Sequence, residues 1–207
     1  MIMHTLETMH TPETMEMLFL CHREARATSF GGYTVFPPRL AGPGDAPALI
    51  EHYRRLGDFD RYTRFFSAMS DDGIGRYVDA FDWSRMIAVC VYSDERLVGV
   101  AELGWGDGSS PERAELGVSI DAAFRRRGLA SWLVSSLFDV GRKAGVQTIY
   151  ASWVGGNDAV GRILRSHDAS IWLSGTHWQG ELNLRDAEVG ALADYFPAGV
   201  PDKGFAG

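Results

Sequence analysis

Cysteine is nearly absent from this chain: Cys21 and Cys90 are the only two in 207 residues. A disulfide framework or a zinc site needs more sulfur at closer spacing, so neither is expected, and a reducing, cytoplasmic compartment fits. No apolar run approaches the roughly 18 to 20 residues that cross a bilayer, which argues against a membrane protein. A basic surplus is missing too. The formal net charge is -7, whereas a nucleic-acid binder collects cations on one face. The P-loop pattern Gly-x-x-x-x-Gly-Lys-Ser/Thr occurs nowhere, and Gly104-Trp-Gly106-Asp-Gly108 has the wrong spacing for a dinucleotide fingerprint. Internal repeats, low-complexity segments and metal-ligand spacings are also lacking, so no metal is expected. None of the six histidines lies beside a nucleophilic Ser or Cys motif, which leaves a triad hydrolase without support. His52, on an expected helix among Glu51 and Arg54, should face solvent.

What is present suffices for one compact domain. With 45% hydrophobic and 12% aromatic residues the chain can build a full core, while a second domain would be cramped. Residues 1–32 read as an N-terminal extension. Glu7, Glu13 and Glu16 precede its short apolar stretch, the opposite of a signal peptide's basic start. A helix is expected over residues 11–27. Its methionine-rich surface is either a cover for an apolar face such as a partner subunit's, which would make a homodimer, or an ordinary packed or frayed arm.

Residues 33–39 read as a strand stopped by Pro37-Pro38, and residues 42–45 as a turn with Asp45 available to cap a helix. Helical periodicity follows over 45–55, 59–68 and 72–81. A hairpin over 86–92 and 97–105 comes next, then a loop to residue 111. Strand 113–121, helix 128–143, strand 148–153 and helix 158–166 alternate as a βαβα unit. Strands over 169–174 and 177–184 close the domain, which is bounded at 33–185. A short helix over 185–195 and a loose tail to 207 complete the chain. The expected fold is α/β (α+β): a mixed, mostly antiparallel twisted sheet of six to seven strands with helices on both faces.

The densest chemistry lies between residues 114 and 131. Leu116, Val118 and Ile120 alternate as a half-buried strand, whereas Leu129, Trp132, Leu133, Leu137 and Val140 repeat at helical spacing. The turn between them is basic. Unpaired N-H groups at the start of a helix, carried by Leu129, Ala130 and Ser131, and the positive end of its dipole suit a phosphate. Gly128 permits close backbone approach, and Arg125, Arg126 and Arg127 would add charge-assisted bonds to a polyphosphate. On the other strand face Glu115 stands with Gly117 and Ser119, which are small enough to leave room for a ligand.

Arg125-x-x-Gly128-x-Ala130 resembles the Arg/Gln-x-x-Gly-x-Gly/Ala motif of the GNAT N-acetyltransferase superfamily. The likeness extends over residues 33–182 and takes in Ala114-Glu115-Leu116, Lys143-Ala-Gly145, the strand 148–154 and Asn157. Residues 56–66, with Tyr62, Arg64, Phe65 and Phe66, are similar to a segment of Pat-type protein lysine acetyltransferase domains. The resemblance implies acetyl-CoA as co-substrate, its pyrophosphate on Arg125 to Ser131. It implies that the backbone of Val118, Ser119 and Ile120 pairs with the pantetheine arm where the neighbouring strand splays away. Asn157 would touch the pantetheine or the acceptor site, or simply cap its helix. Glu115 is the implied general base. Glu102 is held in reserve as a second base, a substrate-binding carboxylate or a solvent-facing residue. The acceptor would be a primary amine, either a protein lysine or a small molecule. Two departures stand out. Leu164 occupies the place of the family's thiolate-protonating tyrosine, and Asp168-Ala169 replaces its closing Gly-Phe. An acyl-CoA-binding sensor without catalysis is the alternative.

Overall fold

A computed structural model of the chain describes residues 28–30, 32–106 and 112–184. The helices expected over 11–27 and 185–195 lie outside them. Within them, three helices precede the central hairpin: α1 (Ala46–Arg54), α2 (Asp58–Phe65) and α3 (Asp71–Asp79). The last is capped by Ser70, whose hydroxyl accepts from Gly73 N at 3.1 Å. Strands β1 (Thr28–Phe30) and β2 (Tyr33–Val35) form a small antiparallel pair before them. The main sheet joins β3 (Arg39–Leu40), β4 (Met86–Ser93), β5 (Arg96–Gly104), β6 (Arg113–Ile120), β7 (Thr148–Val154), β8 (Ser170–Ser174) and β9 (His177–Asn183). Their order is β3-β4-β5-β6-β7-β9-β8, and only β6 and β7 run parallel. Helices α4 (Leu129–Lys143) and α5 (Asp158–Arg165) supply the crossover and the return.

The sheet is covered on both faces, which is why β4 and β5 read as continuous apolar runs rather than clean alternation. Val89 and Val91 join Leu133, Leu137 and Phe138 of α4 on one side. Ala88 and Cys90 pack with Leu49 and Tyr53 of α1 and with Ile74 and Val78 of α3 on the other. Burying each such aliphatic side chain contributes on the order of 1.5–3 kcal/mol.

Two local expectations change. The single strand over 33–39 is split, because Pro37 and Pro38 offer no N-H to a ladder. Beyond them Arg39 and Leu40 pair with Cys90 and Val89. Asp45 does not cap α1 with its side chain. Its carboxylate instead takes Arg39 at 2.5 Å, Gly42 N at 3.0 Å and the Tyr92 hydroxyl at 2.9 Å, tying the turn to the sheet.

Candidate functional site

Strand β6 carries the site because its two edges behave differently. Toward β5 it is bonded from Glu115 to Ile120. Toward β7 the register runs only through Arg113↔Thr148, Ala114↔Ile149 and Glu115↔Tyr150. From Leu116 onward the two strands part, so the splay implied by the resemblance is present. β7 meanwhile stays bonded to β9 along its whole length. A cleft of about 1600 Å³ occupies the opening and reaches the first turn of α4. Val118, Ser119 and Ile120 line it, as do Glu102, Glu115, Arg125, Arg126, Gly128, Leu129, Ala130, Ser131 and Asn157. Asn157 stands at the N-cap position of α5 without a side-chain capping bond.

The turn into α4 is shaped by backbone as much as by charge. Gly128 has φ 87°, and Arg126 has φ 58°, uncommon for a residue with a side chain. The first helical bond runs from Trp132 N to Gly128 O, so the amides of Leu129, Ala130 and Ser131 precede the ladder. The three arginines do not act alike. Arg125 donates Nε to Ile120 O at 2.9 Å and pairs through Nη2 with Asp60 at 2.7 Å, stapling α2 to the turn. Arg126 is exposed beside the cleft. Arg127 is exposed outside the cleft lining, its guanidinium carbon 5.5 Å from the centroid of the Tyr33 ring.

The two glutamates also differ. Glu115 is exposed, and the Tyr150 hydroxyl donates to it at a long 3.4 Å. Its neighbour Arg113 turns to Glu181 at 3.2 Å instead. Glu102 is only 5% exposed rather than solvent-facing. Tyr53 donates to one of its oxygens, and Arg64 and Tyr77 to the other. Burial, then the Glu102 charge, pushes the Tyr77 hydroxyl up to about 12 and Tyr53 well above the usual phenol range. Burial alone would lower Arg64, but the Glu102 carboxylate outweighs it and keeps the guanidinium charged. Gly117 lines the cleft, and the Arg64 guanidinium occupies the space beside it, its Cζ 2.7 Å from where a Cβ would stand.

His52 overturns its expected exposure: it is fully buried. Leu49, His52, Tyr53 and Leu56 share one face of α1, a spacing that could have revealed this. Its Nε2 lies 2.8 Å from Ser119 Oγ. Its Nδ1 lies 3.2 Å from Asp121 Oδ1, in ion-pair reach though not well aligned for a hydrogen bond. Asp121 also takes Arg96 at 2.7 Å and faces Arg55 at 3.4 Å. Burial would raise its pKa, yet His52 and the guanidinium groups hold it below the usual carboxylate value. Leu164, at the family tyrosine's place, is wholly buried. Among the described residues no cluster of His, Cys, Asp and Glu could hold a metal, and no helix is long and apolar enough to cross a membrane.

The family model described as Acetyltransferase (GNAT) family matches residues 49–162. Among solved structures, the chain is similar to the GNAT domain of Streptomyces lividans Pat at 19% identity and TM-score 0.63, covering 77% of this chain and 96% of that one. An N-acetyltransferase from Staphylococcus aureus Mu50 shares 17% identity at TM-score 0.58, over 72% of this chain and 98% of its own. A Salmonella typhimurium protein solved with its cofactor acetyl-CoA shares 19% identity at TM-score 0.56, over 72% and 94%. No curated protein matches the chain.

Proposed function

The chain belongs to the GNAT acetyltransferase family, and from that premise we propose that it moves an acetyl group from acetyl-CoA to a primary amine, by direct transfer in a ternary complex with Glu115 as general base. The observation that carries this reading is the opening between β6 and β7, which leads from Glu115 to the amides at the start of α4. The residues present suit the co-substrate. Amides ahead of the helical ladder, a left-handed glycine and exposed Arg126 fit a pyrophosphate, and the edge of β6 from Val118 to Ile120, which no longer pairs with β7 and where Arg125 holds only the Ile120 carbonyl, fits an amide-bearing arm. Acetyl-CoA bound there supplies an activated thioester carbonyl.

A lysine ammonium, with a pKa of about 10.4, must lose a proton before its nitrogen can attack. Glu115 takes that proton, directly or through one water, being exposed on the cleft with a single long contact to Tyr150. Glu102 is less suited, because both of its oxygens are engaged. Its ion pair with Arg64 fixes α2 against β5 and so shapes the acceptor side. Leu164 has no proton to give, so the thiolate, with a pKa of about 8.5 for a free thiol, takes one from solvent. A lysine side chain is the first acceptor to test, on the likeness of residues 56–66 to the Pat-type segment, and a small polyamine or amino-sugar the second. Leu164 favours a second reading, an acyl-CoA-binding protein without catalysis. Incubation with acetyl-CoA, lysine-containing proteins and a set of small amines, following thiol release, separates the two. Tight coenzyme A binding with no release from any acceptor would select the second.

A further inference from the structure

We propose that Ser119, His52 and Asp121 form a nucleophilic triad that accepts the acyl group of a thioester held in the cleft, giving the protein an acyl-CoA hydrolase activity when no amine is present. The inference rests on the acetyl-CoA reading for its acyl donor. Three elements contribute the three side chains: β6 gives Ser119, α1 gives His52, and the residue following β6 is Asp121. Ser119 Oγ and His52 Nε2 are 2.8 Å apart, and His52 Nδ1 stands 3.2 Å from Asp121 Oδ1. A nucleophile within reach of a base, with that base oriented by a third group, is the diagnostic arrangement of an activated hydroxyl.

The surroundings assign the roles. Asp121 stays ionised under Arg96 and Arg55, so a lone pair on Nδ1 facing it would be repelled. The proton therefore sits on Nδ1, and the Nε2 lone pair faces the Ser119 hydroxyl. His52 is fully buried beside Tyr53, with ring centroids 5.5 Å apart. Ser119 is 8% exposed and lines the cleft. As Ser119 Oγ bonds to the thioester carbonyl carbon, its proton passes to Nε2. The carbon–sulfur bond then breaks, and the thiolate leaves with that proton. Water next attacks the seryl ester through Nε2, Ser119 recovers its proton, and acetate departs. Acetyl-CoA and water thus give acetate, coenzyme A and a proton released to solvent.

The test uses the whole chain with acetyl-CoA and no amine, following thiol release and mapping the quenched protein. The tryptic peptide Ala114–Arg125 contains Ser119 as its only hydroxyl-, thiol- or amine-bearing side chain, so an acetyl group on it locates the ester. A fluorophosphonate probes the same hydroxyl without any coenzyme. Expected are amine-independent thiol release, lowered about a hundredfold or more by Ser119→Ala and by His52→Gln, and fluorophosphonate on that peptide. Ser119→Ala removes a single oxygen and keeps the test open should His52→Gln fail to fold. Coenzyme A binding by calorimetry, with neither Ser119-dependent release nor label on the peptide, would overturn the triad and leave the acetyl-CoA reading intact. Label on Ser119 in a protein that does not bind coenzyme A would sustain the nucleophile and overturn that reading instead.

Discussion

Two glutamates reach the cleft from neighbouring strands, and their surroundings set them apart. Glu102 is buried and shared among Tyr53, Arg64 and Tyr77, whereas Glu115 is exposed with one long contact. Replacing Glu115 with Gln keeps the shape and removes the carboxylate proposed as the base. Coenzyme A affinity should survive while transfer falls by about a hundredfold or more, and the acidic limb of the pH–rate profile should vanish. Full activity with an unaltered profile would move the role elsewhere. That Glu115 lies on the cleft was readable from its place ahead of the basic turn. The partners of Glu102 were not, since Tyr53, Arg64 and Tyr77 come from three helices and meet only when these pack on the sheet. Asp121 carries a pH prediction. Its folded pKa is lowered, so its contribution to stability is complete above the unfolded value of about 3.9 and is lost as pH falls toward the folded one. Asp121→Asn should lower the unfolding temperature near neutrality and flatten its decline in acid. A decline as steep as that of the unchanged protein would show that Asp121 does not carry it.

At the scale of elements, α4 and β6 meet in a turn whose conformation decides what can bind. The periodicities of both were legible in the sequence, and so was Gly128 at their junction. The parting of β6 from β7 was not, since alternation along a strand says which face is buried and not which edge is bonded. Nor could an arginine run reveal that Arg125 is spent on Asp60 while Arg127 leans on Tyr33. Gly128 at φ 87° gives a sharp test, because any side chain there is strained whatever its charge. Gly128→Ala supplies the strain alone, a loss of about 1–2 kcal/mol in stability. Gly128→Glu adds bulk and negative charge where an anion would approach, and it should abolish coenzyme A binding measured by calorimetry on the folded variant. Equal affinity in the two variants would place the pyrophosphate elsewhere.

The whole molecule bears a net charge of -7 and only two lysines, Lys143 and Lys203. Self-acetylation can therefore add little background when lysine-bearing proteins are offered as acceptors. The acidic balance also bears on which acceptors arrive. A cation approaching the cleft feels the summed field of the chain as well as Glu115, and such steering weakens as salt shortens the Debye length from about 30 Å at 0.01 M to about 8 Å at 0.15 M. An uncharged amine feels neither. For a cationic acceptor, KM should rise on the order of tenfold across that salt range while kcat changes little, since the field acts on encounter and not on the chemical step. For a neutral acceptor of similar size both constants should stay flat. Acceptor kinetics at two salt concentrations, with a diamine and a neutral hydroxylamine compared, make the measurement. A salt response shared by both acceptors would trace to binding of the anionic coenzyme. Turnover with neutral or anionic acceptors alone would exclude a cationic amine as the substrate.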